Sequence, residues 1–398
     1  MAIIDGFFRR NRATLLSITL ILASPTATSA PGPDLNLFIT IDTETSSGCG
    51  PNGCHPVPIE DRILGLQGGQ QYGIGLMMDM LEQHGMKATF FVNAYLDSAY
   101  PDDEVRKIVQ SIVARGHDVE FHSHEEFRCF KICKAGDSAC RRQCSASTSH
   151  LVGNTYQNQL AILKEGAENI SRWSGEWPVA FRAGAYRADE TTLEALKSLH
   201  IAIDSSIDGA SHELAAVYPI NQVTEHNGII EIPILNFRTL KLGSYTSYRE
   251  LDLESNTFPE VRSVLDQSRK LGIRTVMTIM HSFSFCRREN GACPHRENIE
   301  NFANLLDYVA SEPRIRVLTL REFAKEYPNE PDKFTGTGAM PVTGYFLTLY
   351  RSVLRFNEGW KNRIFAGANL GLALVVLAAF ATLAWRYGRS LRRRSSSH

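Results

Sequence analysis

The stretch Leu37-Phe38-Ile39-Thr40-Ile41-Asp42-Thr43-Glu44-Thr45 decides the fold class and raises the question of function. Its first five residues are apolar or β-branched, which is the composition of a buried strand. Two carboxylates follow, and on an extended backbone Asp42 and Glu44 point to the same face. Two like charges on one face repel each other unless a cation or a shared proton lies between them. The stretch therefore predicts either a metal site with a general base beside it, or a strand that ends in a solvated loop.

Apolar strand patterns alternate with helical patterns from this stretch to about residue 325. The predicted strands cover residues 37–41, 87–92, 118–122, 179–182, 201–204, 229–234, 275–281 and 315–320. This alternation is typical of an α/β fold with a parallel sheet and helices outside it, in a barrel or a doubly wound arrangement. In a barrel, functional side chains collect at the carboxyl ends of the strands. Ionisable groups at five such ends therefore predict one shared site: Asp42/Glu44, His122/His124, Arg182, Asp204 and His281.

The segment His122-Ser123-His124-Glu125-Glu126 offers metal ligands. His122 and His124 share a face if the strand continues, whereas His122 and Glu126 share a face if the chain turns helical. Either pair, together with Glu44, gives three protein ligands and one open position, as in a catalytic metal site. An isolated pattern of this kind also occurs at a polar strand end. The ionisable side chains at the other strand ends favour the metal site over a simple polar strand end.

Five short motifs, in order and spacing, resemble the polysaccharide deacetylases with a NodB-homology domain (carbohydrate esterase family 4). The family's first motif, TFDDG, is matched by Thr40-Ile41-Asp42-Thr43-Glu44, where Asp42 takes the place of the base. Because Thr43 replaces the second aspartate, the resemblance leaves Glu44 as the metal ligand in a D-x-E pattern. The second motif, H-[ST]-x-x-H, begins at His122 but ends on Glu126, so either His124 or Glu126 is the third ligand.

The later motifs carry the resemblance to about residue 325. Arg182 lies in the third motif, in Phe181-Arg182-Ala183-Gly184-Ala185-Tyr186, and the fifth, Leu-x-His, is matched by Ile279-Met280-His281. The fourth, an aspartate after a strand, is matched by Asp204 or Asp208. The resemblance implies a distorted (β/α) barrel of the NodB type, and the substitutions in the first two motifs mark a divergent branch.

The resemblance also implies a mechanism. Asp42 would act as general base, and Arg182 would orient it and keep it ionised. His281 would protonate the leaving group, with Asp204 or Asp208 holding it charged. The metal, most simply zinc, and a backbone N–H near Tyr186 would hold the oxyanion.

The implied function is a metal-dependent hydrolase that removes acetyl groups from an envelope or extracellular glycan. One alternative is another C–N hydrolase of the same fold, acting on cyclic amides. A second alternative is a non-catalytic glycan-binding pseudoenzyme, which Thr43 and Glu126 favour. The formal net charge of −1 gives no indication of a nucleic-acid partner, and the oligomeric state is left open.

Eight cysteines fall in local clusters, which indicates disulfides or a metal site. Cys49 and Cys54 are expected to form one bridge, and Cys286 and Cys293 another. The four central cysteines form two C-x3-C pairs whose members share a face of a helical turn, so the expected bridges are Cys129–Cys144 and Cys133–Cys140. A zinc site from these four is the alternative. All these loops follow motif strands, and we expect them to stiffen the rim of the site.

The chain ends predict export and a membrane anchor. Residues 1–30 have the layout of a signal peptide: arginines, a short apolar run and small residues. Residues 35–328 would form the deacetylase domain, and 329–363 a linker with an amphipathic juxtamembrane segment. Residues 364–385 have the length of a transmembrane helix, and the basic tail 386–398 would stay cytoplasmic. The expected location is a single-pass membrane protein whose catalytic domain lies on the exported side.

Overall fold

The computed structural model describes residues 34–395 except 51–52, 135, 149–150, 209–213, 215–217, 243–244, 288–290 and 356–359. The predicted signal peptide at 1–30 lies outside the described residues. The strands are β1 Leu35–Thr43, β2 Ser47–Gly50, β3 Gly53–Pro56, β4 Leu66–Gln67, β5 Gln70–Gln71, β6 Thr89–Asn93, β7 Asp118–Ser123, β8 Ala180–Ala183, β9 Ile203–Asp204, β10 Thr224–His226, β11 Ile229–Glu231, β12 Asn236–Leu242, β13 Tyr245–Glu250, β14 Thr275–His281 and β15 Ile315–Val317. The α-helices are α1 Ile59–Arg62, α2 Ile74–Gln83, α3 Asp102–Ala114, α4 Cys129–Ile132, α5 Ser138–Thr148, α6 Tyr156–Ser174, α7 Glu190–Ser198, α8 Phe258–Lys270, α9 Arg296–Ser311, α10 Leu320–Glu326, α11 Gly344–Leu354 and α12 Trp360–Ser395.

The principal sheet is parallel except for its β10–β11 edge pair. Its strand order is β10-β11-β9-β8-β7-β6-β1-β14, and β15 also pairs with β1. Strand β1 is buried along its whole length, because helices cover one face and the interior of the curled sheet covers the other. Register matters for the site: Asp42 lies opposite Phe91 of β6 and opposite His281 of β14.

The sheet curls, and the chain after β11 joins its two edges. Ile230 pairs with Ile203 of β9, and four residues later Ile234 forms a bridge with Met277 of β14. The Leu235 N–H then donates to the Met277 carbonyl over 3.0 Å. The predicted barrel is confirmed in this coarser form, as a curled parallel sheet with helices outside.

Residues of β1 alternate between two buried layers. Leu37, Ile39 and Ile41 pack with the surrounding helices, whereas Phe38 packs with the apolar side chains enclosed by the curled sheet. Burying an apolar side chain of this size contributes about 1.5–3 kcal/mol. Because side chains alternate along a strand, Asp42 shares the face of Phe38 and therefore points into the mouth of the curled sheet.

The central cysteines form disulfides rather than a zinc site. The bridges Cys129–Cys144 and Cys133–Cys140 join α4 to α5, as predicted, and Cys286–Cys293 closes the loop after β14. The β2–β3 hairpin places Cys49 opposite Cys54 in register, but their side chains lie outside the described part of the chain, so that bridge stays a prediction.

The C-terminal region differs from its prediction. Residues 364–385 lie within α12, but among the helices that the structure describes none is long and apolar enough to cross a bilayer. The predicted transmembrane helix, and the anchor that depended on it, are therefore not supported. Helix α11, assigned from sequence to a juxtamembrane linker, packs on the hairpin of β12 and β13 through Thr348, whose hydroxyl donates to the Thr239 carbonyl over 3.2 Å.

Candidate metal and catalytic site

Three potential metal ligands meet at the carboxyl ends of β1 and β7. His122 is the fifth residue of β7, and Glu44 and His124 directly follow β1 and β7. One ligand atom of each lies within 4.8 Å of the others. The Glu44 Oε2 atom is 3.1 Å from His122 Nε2 and 2.5 Å from His124 Nε2. Residues far apart in the sequence are thus brought to one point by strand order.

The hydrogen bonds of the two imidazoles test whether a cation fits. His122 Nδ1 lies 2.9 Å from the Arg182 carbonyl, which only accepts, so Nδ1 carries a proton. In the neutral ring, His122 Nε2 is then an unprotonated acceptor that faces the Glu44 carboxylate, another acceptor. Such an arrangement needs either a proton or a cation between the two atoms. Two imidazoles and a carboxylate, with the outer imidazole nitrogens already hydrogen-bonded, suit zinc and similar divalent ions.

Glu126 supports His124 instead of joining the cluster. Its Oε1 atom lies 2.9 Å from His124 Nδ1, so His124 has carboxylates at both ring nitrogens. Gly184 leaves room for this ring: a Cβ there would lie 2.2 Å from the Ser123 carbonyl oxygen and 3.0 Å from His124 Nδ1. Of the two ligands that the sequence left open, the geometry brings His124 to Glu44.

The pKa values reflect this crowding of charges in the metal-free protein. Burial alone would raise the pKa of Glu44, but the imidazoles of His124 and His122 hold it well below its ordinary value. Burial alone would lower the pKa of His124, but the carboxylates of Glu44 and Glu126 raise it well above its ordinary value. The opposed shifts show that the imidazoles and carboxylates stabilise each other's charges at the point where the three candidate ligands meet.

Asp42 forms a buried ion pair with Arg182 beside the cluster. Arg182 Nη1 donates to Asp42 Oδ1 over 2.6 Å, and the guanidinium lies 4.1 Å from the ring centre of Phe91. It also donates to the Thr40 hydroxyl over 3.0 Å. The other carboxylate oxygen, Asp42 Oδ2, is 3.7 Å from His122 Nε2. Arg182 thus fixes one oxygen of Asp42 and leaves the other beside the candidate ligands.

His281 approaches the cluster from β14. Its Nε2 atom is 4.0 Å from Glu44 Oε1, and its Nδ1 atom is 3.2 Å from Glu254 Oε2. Its ring stacks on Phe283 with centroids 4.9 Å apart. Burial lowers the pKa of His281, but the carboxylates of Glu254, Glu44 and Asp42 together raise it to about 10. The Nε2 atom lies on the side of the ring that faces the candidate metal site.

The acidic partner of His281 differs from the one expected. Asp204 lies elsewhere in the interior, accepts from the Ser206 hydroxyl over 2.6 Å and neighbours Glu231. Asp208 lies near Tyr186 and Glu250. Glu254 takes the position beside His281 Nδ1 that the resemblance assigned to Asp204 or Asp208. Sequence reasoning missed Glu254, although the alternating acids Glu250, Asp252 and Glu254 are a signal that could have indicated it.

Tyr186 lies at a backbone turn next to this site. Ala185 and Tyr186 both have left-handed backbone angles, with φ of 49° and 57°. Burial and the Glu250 carboxylate raise the pKa of the Tyr186 phenol well above its ordinary value. The turn brings Tyr186 near Arg182 and Asp42. A role of its N–H in binding an oxyanion stays a prediction.

Comparison with known families supports the resemblance seen in the motifs. Residues 75–203 match the family model for polysaccharide deacetylases. The resemblance is confirmed over this segment, which includes His122, His124 and Arg182, whereas Asp42 and His281 lie outside the matched residues. No curated protein matches the chain in sequence.

The chain is also similar to solved structures. A candidate polysaccharide deacetylase from Mycobacterium smegmatis is 16% identical, with a TM-score of 0.48, over 78% of this chain and 96% of that one. A family 4 acetyl xylan esterase from Clostridium thermocellum, in complex with a cobalt ion, is 13% identical, with a TM-score of 0.38, over 74% of this chain and 92% of that one. A family 4 carbohydrate esterase pseudoenzyme from Bacillus anthracis is 11% identical, with a TM-score of 0.38, over 74% of this chain and 66% of that one. Similarity at this level assigns no activity.

Proposed function

We propose that this chain, whose residues 75–203 form a polysaccharide deacetylase segment, is a metal-dependent hydrolase that removes acetyl groups from a glycan. The observation that carries the proposal is the convergence of Glu44, His122 and His124 within 4.8 Å, beside the buried Asp42–Arg182 pair. Amide or ester hydrolysis requires a metal-ligand cluster, a general base and a proton donor, and candidates for all three lie at the carboxyl ends of neighbouring strands.

The metal ligands would be Glu44, His122 and His124, with zinc the cation that this donor set fits most simply. A divalent cation there supplies Lewis acidity, which polarises the acetyl carbonyl. Glu126 would hold the His124 ring in place through its Nδ1 atom, at 2.9 Å. Three side chains would thus bind the cation, and the Glu126 carboxylate would orient one of them.

Asp42 would be the general base. Its Oδ1 atom is engaged by Arg182, while Oδ2 lies 3.7 Å from His122 Nε2, on the side of the ligands. From this position Oδ2 can take a proton from the water that attacks the acetyl carbon. The Arg182 guanidinium pairs with the Asp42 carboxylate through Oδ1 and so fixes its orientation.

His281 would be the general acid. Glu254 accepts the Nδ1–H, which leaves the Nε2–H directed toward the ligand cluster, with Nε2 4.0 Å from Glu44 Oε1. There it can donate to the departing nitrogen or oxygen of the sugar. A backbone N–H near Tyr186 would assist the oxyanion. The proposed base, Asp42, and the proposed acid, His281, thus both lie beside the ligand cluster.

The substrate would be a glycan of the cell envelope or of the extracellular space. The disulfides Cys129–Cys144, Cys133–Cys140 and Cys286–Cys293 support export, since such bridges persist in oxidising compartments. The first two join α4 to α5 directly after the His124 segment, so they would stiffen one wall of the substrate entrance.

Metal analysis combined with acetate release tests the function. We expect the purified protein to contain about one divalent ion per chain and to release acetate from acetylated chito-oligosaccharides. A chelator should abolish the release, and added zinc should restore it. A metal-free protein that still binds the sugar would support the pseudoenzyme instead. A metal-loaded protein that opens cyclic amides but releases no acetate would support the other C–N hydrolase.

A further inference from the structure

We propose that Arg355, at the C-terminal end of α11, is a positioning residue for the His281–Glu254 pair. It lies beyond the segment that resembles the deacetylases, yet its Nη1 atom donates to the Glu254 carbonyl over 2.7 Å. Its Nη2 atom donates to Asn298 Oδ1 over 2.9 Å. The proposal rests on the proposed function, because it assigns Arg355 to the support of the general acid.

Helix α11 packs on the domain with its polar face, which is unusual for a surface helix. Thr348, Ser352 and Arg355 are buried, whereas Phe346 and Val353 are 82% and 57% exposed. A polar face becomes buried at low cost only where its groups are hydrogen-bonded. Directional contacts, and not apolar burial alone, therefore set the position of α11 and of Arg355.

A closed set of hydrogen bonds connects Arg355 to both partners of His281. The Ser284 hydroxyl donates to Glu254 Oε2 over 2.5 Å and accepts from the His281 N–H over 2.8 Å. The Asn298 side chain donates to the Ser284 carbonyl over 2.7 Å. Arg355 binds Glu254 and Asn298, so it joins the two segments that hold the imidazole. A shift of either segment would move the His281 ring.

The Glu254 segment depends on such a contact because it lies outside the regular strands. It follows β13 and runs beside β14, where the Leu253 N–H donates to the Ile279 carbonyl over 2.8 Å. Arg249 holds the far end of the segment by donating to Asn256 Oδ1 over 2.9 Å. Arg355 holds its middle, at the residue whose carboxylate contacts His281. Loss of Arg355 would remove the bond to the Glu254 carbonyl, whereas the bond from the Glu254 N–H to Asp252 Oδ1 and both ends of the segment would stay in place.

Kinetics of matched variants test the proposal. We expect Arg355→Ala to lower kcat for acetate release by about 10- to 100-fold, the effect of misplacing a catalytic group by about 1 Å. KM and bound metal should stay within about twofold of wild type, since Glu44, His122 and His124 are untouched, and Arg355→Lys should recover part of kcat. The matched control is Arg351→Ala, which removes a buried arginine of the same helix that pairs with Glu260 at 2.9 Å. Its kcat should be unchanged.

A spectroscopic measurement separates this proposal from the proposed function. In protein with ¹³C-labelled histidine rings, the His281 signal is identified by its loss in His281→Gln. In Arg355→Ala it should shift or split while the His122 and His124 signals stay in place, whether or not wild type releases acetate. If Arg355→Ala does not fold, Asn298→Ala breaks two bonds of the same set, the one from Arg355 Nη2 and the one to the Ser284 carbonyl, and it should also shift or split the His281 signal. Wild-type kcat together with an unmoved His281 signal, in either variant that folds, would overturn the proposal.

Discussion

The buried ion pair of Asp42 and Arg182 contributes both to the stability of the fold and to the proposed chemistry. Arg182 is fully buried and its guanidinium contacts Asp42 at 2.6 Å. Removing one partner of a buried ion pair leaves the other charge uncompensated, which costs about 3–5 kcal/mol. Substitutions here therefore affect folding and activity together, and metal content is the measurement that separates the two effects.

Asp42→Asn should abolish general-base catalysis without emptying the metal site. We expect kcat to fall by about 10²- to 10⁴-fold, because an amide does not accept the proton. Bound metal should stay near the wild-type level, since Asp42 lies outside the cluster of Glu44, His122 and His124. Acetate-release kinetics and atomic absorption on the same sample make the comparison. Loss of metal in proportion to activity would instead place Asp42 among the ligands.

Glu126→Gln should weaken metal binding. The Glu126 carboxylate accepts from His124 Nδ1 at 2.9 Å, and replacing a carboxylate that supports a histidine ligand typically costs about 10- to 100-fold in metal affinity. Zinc titration of chelator-stripped protein measures the change. Glu125→Gln is a neighbouring control whose side chain is not part of the cluster. Equal affinity in wild type and Glu126→Gln would contradict the supporting role.

The raised pKa of His281 predicts that the stability of the metal-free protein depends on pH. Folding raises its pKa from the ordinary 6.5 to about 10, so the folded state binds this proton more tightly than the unfolded chain. The resulting stabilisation is fully present below pH 6.5 and is lost as pH rises through about 10. Urea unfolding of wild type and Glu254→Gln across this range should show a smaller decline in the variant. Parallel curves would show that Glu254 does not hold the proton.

At the scale of elements, we expect the disulfides of the α4–α5 segment to affect stability and glycan binding without affecting metal binding. Removing Cys133–Cys140 with two serine substitutions should lower the free energy of unfolding by about 2–4 kcal/mol. We expect KM for the glycan to rise while metal affinity is unchanged, because α4 and α5 follow the His124 segment without supplying ligands. Replacing Cys286 and Cys293, whose bridge has the same sequence separation of 7, is the matched control for stability. An unchanged KM would show that α4 and α5 do not form part of the substrate entrance.

The regular elements were predictable where one physical signal dominated. The apolar run of β1 and the 275–281 strand were predicted because buried parallel strands need continuous apolar residues. The hairpin of β12 and β13 was missed, although its sequence alternates polar and apolar residues around Gly243-Ser244, a pattern typical of a hairpin. Glu254 was missed because its position depends on irregular backbone bonds to β14, and the alternation of acids that ends at Glu254 was not used.

At the scale of the whole molecule, strand order brings the candidate site together. Asp42 and His281 are opposite in register on adjacent strands, and β7 and β8 deliver His122 and Arg182. The sequence predicted this convergence because ionisable groups recur at strand ends. It did not predict that a C-terminal helix contributes Arg355, because the buried face of α11 is polar and resembles an exposed one in sequence.

The central claim is that Glu44, His122 and His124 bind one divalent cation. Anomalous diffraction from crystals of the zinc-loaded protein tests it most directly. We expect one peak about 2.0–2.2 Å from a Glu44 carboxylate oxygen and from Nε2 of both histidines. A zinc-saturated protein with no peak at this position would contradict it.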